Sequence, residues 1–177
     1  MVKQLPQPRK IAPKTRELAV EAALTAAGIQ FERQVHHVWD PVGGYRYTSQ
    51  KTKYCYVDFV IKKDGFDILL ECDEKEHSNR KFWQERTRER ALAKTWRNAK
   101  KFVIIRFNPD AYTIGSREVD GDLEDRLNTL CARIKAMTAP AGRWARLQMY
   151  YSREEGAAVP LVAEHWLPGW AEITEVV

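Results

Sequence analysis

The sequence predicts an α/β fold in which helices flank a mixed central sheet, and three observations carry that expectation. Strand-like runs follow one another at residues 29–38, 54–61 and 66–72, the last two separated by a tight Lys62-Lys63-Asp64-Gly65 turn of hairpin type. A long helical segment at 78–98 then separates the third run from a fourth at 101–107, and a helical crossover of that length is the ordinary route to a parallel pair. Helical patterns at 14–27 and 121–137 supply further layers.

The first helix has Thr15 as its cap, Glu17 in its first turn and Gly28 as its stop, with Leu18, Ala22 and Thr25 or Ala26 as a modest apolar stripe. The first strand places Ile29, Phe31, Arg33 and Val35 on one face. Residues 40–52 read as a loop, opened by Asp-Pro-Val-Gly-Gly. The run Phe66–Cys72 is almost continuously apolar, which predicts a central strand buried on both faces, and 101–107 reads the same way. The long helix carries Phe82, Leu92 and Trp96 among its apolar positions. Asn108-Pro109-Asp110 starts a loop, and the last helix shows a stripe of Leu123, Leu127, Leu130 and Ile134. Residues 143–151 suit a strand or a short helix, and 160–177 carry Trp166 and Trp170 with no clear period.

At 177 residues the chain has the size of one domain. A basic, proline-rich arm over 1–13, a core over 14–137 and a C-terminal extension over 138–177 packed on it are the expected divisions. The composition, 44% hydrophobic and 30% charged, is that of an ordinary globular protein, and no run approaches the length of a membrane span. The basic start lacks the apolar segment of a secretory signal. Cys55, Cys72 and Cys131 are odd in number and read as buried, reduced thiols, which points to an intracellular compartment, cytoplasmic, nucleoid or nuclear. The net charge of +5 leans toward a polyanionic partner.

Against that basic background, acids gather where a core strand avoids them. Asp58 interrupts Tyr56-Val57-Asp58-Phe59-Val60, and Glu71 and Asp73 end Ile68-Leu69-Leu70-Glu71-Cys72-Asp73. Residues two apart on a strand share a face, so Glu71 and Asp73 point together. Counting across a turn centred near 64–65 sets Asp58 opposite roughly residue 71. Carboxylates so collected repel one another and need a counter-charge, which a divalent cation supplies. Mg²⁺ takes one or two carboxylates, waters and a substrate phosphate, and lowers the pKa of an attacking water. Taken singly, each acid is better explained as solvated or paired with a lysine such as Lys53, Lys62 or Lys75.

The order Asp58-Phe59-Val60, then Leu69-Leu70-Glu71-Cys72-Asp73-Glu74, then His77 resembles the PD-(D/E)XK nuclease superfamily, closest to the very-short-patch-repair endonucleases and their small relatives. Glu85, Arg88 and Leu92, the run Ile104-Ile105-Arg106-Phe107, Glu17 with Val20 and Leu24, and Phe31-Glu32-Arg33-Gln34 match further parts of that pattern over about residues 15–112. The resemblance implies a restriction-endonuclease-like core (helix, three strands, helix, strand) and a Mg²⁺-dependent DNA endonuclease, with Mn²⁺ as a substitute. It also implies metal ligands Asp58, Glu71, the Cys72 carbonyl and Asp73, with Glu17 an outer ligand. Asp73 stands where the superfamily usually has lysine, and Glu74 where glycine is common. Lys75 or His77 would then assist proton transfer.

Arg33, Gln34, Arg88, Arg90 and Lys94 are candidate nucleic-acid contacts. The acids Glu85 and Glu89 interleaved on the long helix equally suit a solvated face with intrahelical pairs. His36 and His37 face opposite ways on a strand and read as structural. Cys55, Cys72 and His77 fit no closed zinc cage. Trp144, Tyr150, Tyr151, Trp166 and Trp170 could stack on unpaired bases, though such residues more often pack a terminal segment onto a sheet. The expected partner is duplex DNA, with a homodimer as the means of extending a small recognition surface. The alternatives are a catalytically silent nucleic-acid-binding protein on the same fold and an RNA-processing nuclease.

Overall fold

The computed structural model describes residues 15–38, 54–74 and 82–152 and, within the helix at 82–95, the side chains of 88, 89 and 91–95. In chain order the elements are α1 (Thr15–Ala26), β1 (Glu32–Val38), β2 (Tyr54–Lys63), β3 (Phe66–Cys72), α2 (Phe82–Thr95), β4 (Phe102–Phe107), β5 (Tyr112–Ile114), β6 (Arg117–Val119), α3 (Leu123–Ala136) and β7 (Trp144–Met149). The main sheet runs β1-β2-β3-β4-β7, antiparallel from β1 to β3 and parallel from β3 to β7. The expected α/β class with a mixed sheet is the observed one. No helix among the described residues is long and apolar enough to cross a membrane.

Each strand's alternation feeds two cores. Phe66, Ile68, Leu70 and Cys72 of β3 and Val103, Ile105 and Phe107 of β4 meet Val20 and Leu24 of α1 and Leu127, Leu130 and Ile134 of α3. Leu69, Phe102 and Ile104 point the other way, onto Leu92 and Ala93 of α2 and the buried Trp96. β3 is the middle of five strands and buried along its whole length, as its nearly continuous apolar run predicts. Asp64-Gly65 closes the β2–β3 hairpin with Gly65 at φ +77°, a conformation that glycine adopts without strain. Gly28, at φ +69°, ends α1 as expected.

Several expectations need correction. The inward stripe of α1 is Glu17, Val20 and Leu24, whereas Leu18 is 47% exposed. Spacings of three and four put those three residues on the sheet side. The segment after Pro109 is no plain loop but the β5–β6 hairpin. Residues 144–149 form a strand that pairs in parallel with β4, so this part of the extension belongs to the sheet instead of lying on it. Trp144 accordingly stacks on Phe102 with ring centroids 5.9 Å apart. The arm 1–13, the loop 40–52 and residues 153–177, with Trp166 and Trp170, lie outside the described residues.

The largest departure is in β1 and β2. Phe31 packs with the α1/α3 core and Val35 with the α2 core, although strict alternation puts them on one face. On β2, Phe59 and Ile61 join the first core while Cys55 and Val57 join the second. Both strands therefore change face at the same level. The β1–β2 register steps from Arg33↔Phe59 to Val35↔Val57, so that level is Gln34 beside Asp58. Gln34 has φ +50°, the left-handed region, which breaks the pleat.

Candidate active site

The β2–β3 ladder ends at the pair Phe59↔Leu70. One step further the register sets Asp58 level with Glu71, the pairing expected from the count across the turn. The strands no longer bond there through their backbones. Instead the Cys72 amide donates to Asp58 Oδ2 at 2.9 Å. Amide and carbonyl of one strand residue point to the same side, so the Cys72 carbonyl is directed toward Asp58 as well. The neighbouring Asp73 amide faces the opposite way and donates to the Phe107 carbonyl at 2.8 Å.

The other oxygen of Asp58 accepts from Gln34 Nε2 at 3.2 Å, and the same nitrogen donates to Glu17 Oε2 at 3.1 Å. Glu17 is buried on α1 and thus connects to Asp58 through one amide. Arg33 extends the group: it pairs with Glu21, reaches Glu17 at 3.4 Å and lies over the Phe59 ring.

Glu71 and Asp73 lie on the α2 face and have different partners. Arg88 of α2 donates to Glu71 Oε1 at 2.7 Å and, with the same nitrogen, to the Tyr56 carbonyl at 2.7 Å. Burial raises the Glu71 pKa to about 8, Arg88 opposes that rise, and Asp58 and Asp73 add to it. Asp73 is fully buried and paired with Arg106, and it accepts from the Tyr151 hydroxyl. Arg106 donates on to Glu89 at 2.9 Å, and Glu89 also meets Arg146 at 3.3 Å. Burial works against the charge of Arg106, yet Asp73, Tyr151 and Glu89 hold it firmly protonated. Burial and the adjacent Asp73 push the Tyr151 hydroxyl far above its usual range, so it acts as a donor and not as a base.

The sequence candidates thus fall into groups. Asp58 and the Cys72 amide are bonded at the end of the ladder, Glu71 is level with Asp58 in register, and Glu17 is joined to Asp58 through Gln34. Asp73 shares the face of Glu71 but belongs to a buried ion network. Arg33, Gln34 and Arg88, named as nucleic-acid contacts, hold carboxylates inside the protein. Lys94 is exposed on α2. Lys75 and His77 and the side chain of Arg90 lie outside the described residues.

Residues not anticipated are Tyr151, which reaches Asp73 from just beyond β7, and Glu89, which has partners on β4 and β7. Both histidines of β1 are structural, as expected: His37 bonds Thr95 at 2.8 Å and His36 lies 5.0 Å from the rings of Tyr54 and Tyr56. The three cysteines are buried and unlinked, and burial pushes the Cys55 thiol up to about 12.

Among the described residues no three His, Cys, Asp or Glu side chains stand together in a geometry that could hold a metal ion. Mg²⁺ does not require three, because it completes its shell with waters, carbonyls and phosphate. Asp58, Glu71 and the Cys72 carbonyl are oxygen donors at the end of the ladder that would suit such a shell. Burial is the main reason the Glu71 pKa is raised, and a bound cation would relieve the smaller part that Asp58 and Asp73 add. No family model, no curated protein and no solved structure matches the chain.

Proposed function

We propose that the protein is a metal-dependent DNA endonuclease whose site is Asp58, Glu71 and the backbone of Cys72. The observation that carries this reading is the end of the β2–β3 ladder, where Asp58 accepts from the Cys72 amide and stands level in register with Glu71, in a chain of net charge +5. Asp58, Glu71 and the Cys72 carbonyl would hold Mg²⁺ or Mn²⁺. The cation would supply charge neutralisation at the scissile phosphate and a more acidic water.

The chain's own residues do the rest. Arg88 fixes the Glu71 carboxylate and favours its ionised form. Gln34 and the Cys72 amide fix both oxygens of Asp58. The backbone arrangement sets the pair at one level of the sheet, so that a phosphodiester can approach from the strand ends. Proton transfer from the water falls to Lys75 or His77, which follow β3 directly in the sequence. Asp73, held by Arg106 and Tyr151, is read as the anchor of the β3 end.

A specific observation favours a second reading. The position that carries lysine in the resembled superfamily is filled here by an acid already engaged by a buried arginine, which suits a nucleic-acid-binding protein that does not cut. Duplex binding measured with and without Mg²⁺, beside cleavage of the same duplex, separates the two. Cleavage that needs the cation supports the nuclease. Tight binding indifferent to Mg²⁺, with no product, supports the silent binder.

A further inference from the structure

We infer that Gln34 is a positioning residue for Glu17 and Asp58, and that its side-chain amide, not its backbone turn, sets how well this end of the sheet binds a divalent cation. The inference rests on the metal-dependent reading above and assigns Gln34 a role other than contact with nucleic acid.

The geometry assigns that role in three ways. First, Nε2 donates to Glu17 Oε2 at 3.1 Å and to Asp58 Oδ1 at 3.2 Å, so both amide hydrogens are engaged, one on each acid. A neutral double donor holds two carboxylates at a fixed spacing without supplying a cation that would compete with a metal. A glutamate there would add a third negative charge, and a lysine would occupy the metal's place electrostatically.

Second, Gln34 sits at φ +50° in a strand that is otherwise extended. That conformation is unfavourable for a residue with a side chain. Glycine would make the same turn without that cost. A long amide at a position that glycine fits better indicates that the side chain is what the site uses.

Third, the turn at Gln34 is where β1 and β2 exchange faces, opposite Asp58. The exchange brings the amide to the α1 side, where Glu17 lies, while leaving it level with Asp58. Backbone and side chain thus work toward one end. Glu17 is joined to Asp58 through this contact.

The test uses the full chain without DNA. Wild type, Gln34→Gly and Gln34→Asn are titrated with Mn²⁺, the free ion being followed by electron paramagnetic resonance, and the metal-free melting temperature of each is recorded. Gln34→Gly changes the metal-free melting temperature little, because relief of the backbone offsets the two hydrogen bonds it removes, while Mn²⁺ affinity falls roughly tenfold or more, the usual effect of losing a residue that orients a ligand. Gln34→Asn tolerates the same φ but carries an amide too short to span both acids, and loses affinity likewise. Mn²⁺ affinity equal to wild type in either variant overturns the inference alone. A wild-type chain that binds no Mn²⁺ overturns both the inference and the functional reading beneath it. A loss of affinity only in proportion to lost metal-free stability assigns Gln34 to the fold and overturns its role at the site.

Discussion

The backbone amide of Cys72 donates to the carboxylate of Asp58 across the point where the ladder between their strands ends. A side chain thus takes the place of a strand partner, and the neighbouring carbonyl has no ladder position opposite it. That single exchange converts the end of a hairpin into a cluster of oxygen donors. The proposed chemistry depends on it, and so do the tests that follow.

Glu71 links stability to pH. Its folded pKa of about 8 lies above the ordinary value of 4.5, so between those values the folded state binds a proton that the unfolded state has released. Stability of the metal-free protein therefore falls as pH rises from about 5 to 8, by at most about 1.4 kcal/mol per pH unit. Thermal melts across that range should show the decline, and Glu71→Gln should flatten it. Because Mg²⁺ must displace the proton, its affinity should rise over the same window. Melts of wild type that are level from pH 5 to 8 would remove Glu71 from this role.

Asp73→Lys would place a lysine where the resembled superfamily has one, yet it sets an ammonium against Arg106 in a fully buried position. Breaking such a pair costs about 3–5 kcal/mol, which for a chain of this size lowers the melting temperature by roughly 10 °C. Loss of activity with that destabilisation, not recovered by added Mg²⁺, is the expected result. Tyr151→Phe, which removes one hydrogen bond to the same carboxylate, should cost about 1 kcal/mol. Unchanged stability in Asp73→Lys, with activity restored by higher Mg²⁺, would return Asp73 to the metal ligands.

DNA affinity should depend on salt through surface lysines and not through the arginines inside the site. Neutralising about three phosphates would weaken binding about fortyfold between about 50 and 200 mM salt. Lys94→Glu should weaken binding and lower the salt slope by about one. Arg33→Ala and Arg88→Ala should act mainly on stability, since both hold carboxylates within the protein. Equal salt slopes for wild type and Lys94→Glu would move the interface elsewhere.

What the sequence could show followed from short-range rules. The span Phe66–Cys72 was readable because Gly65 and Asp73 bracket a run that is apolar except at Asp67 and Glu71. The approach of Asp58 to Glu71 was readable because hairpin register is a count from the turn. The exchange of faces at Gln34 was not, since it lies in one backbone angle that glutamine does not advertise. The β5–β6 strands are three residues each, too short for an alternation to stand out, so they resembled a loop. In β7, Arg146 points at Glu89, and a charged residue on the inward face hid the alternation. Glu89 had Arg86 at helical spacing, and only the packing of α2 on β4 and β7 brings it to Arg106 and Arg146. Tyr151 meets Asp73 from 78 positions away, beyond the reach of any periodicity.

The most direct test of the central claim is incubation of supercoiled plasmid with wild type and Asp58→Ala, each with Mg²⁺, with Mn²⁺ and with chelator. Wild type should nick or linearise the plasmid only in the presence of a divalent cation. Asp58→Ala should cut about a hundredfold more slowly or worse, while binding duplex DNA as tightly as wild type or tighter, because it removes a negative charge facing phosphate. Cleavage by Asp58→Ala at the wild-type rate, or no cleavage by the wild-type protein with either cation, would contradict the account.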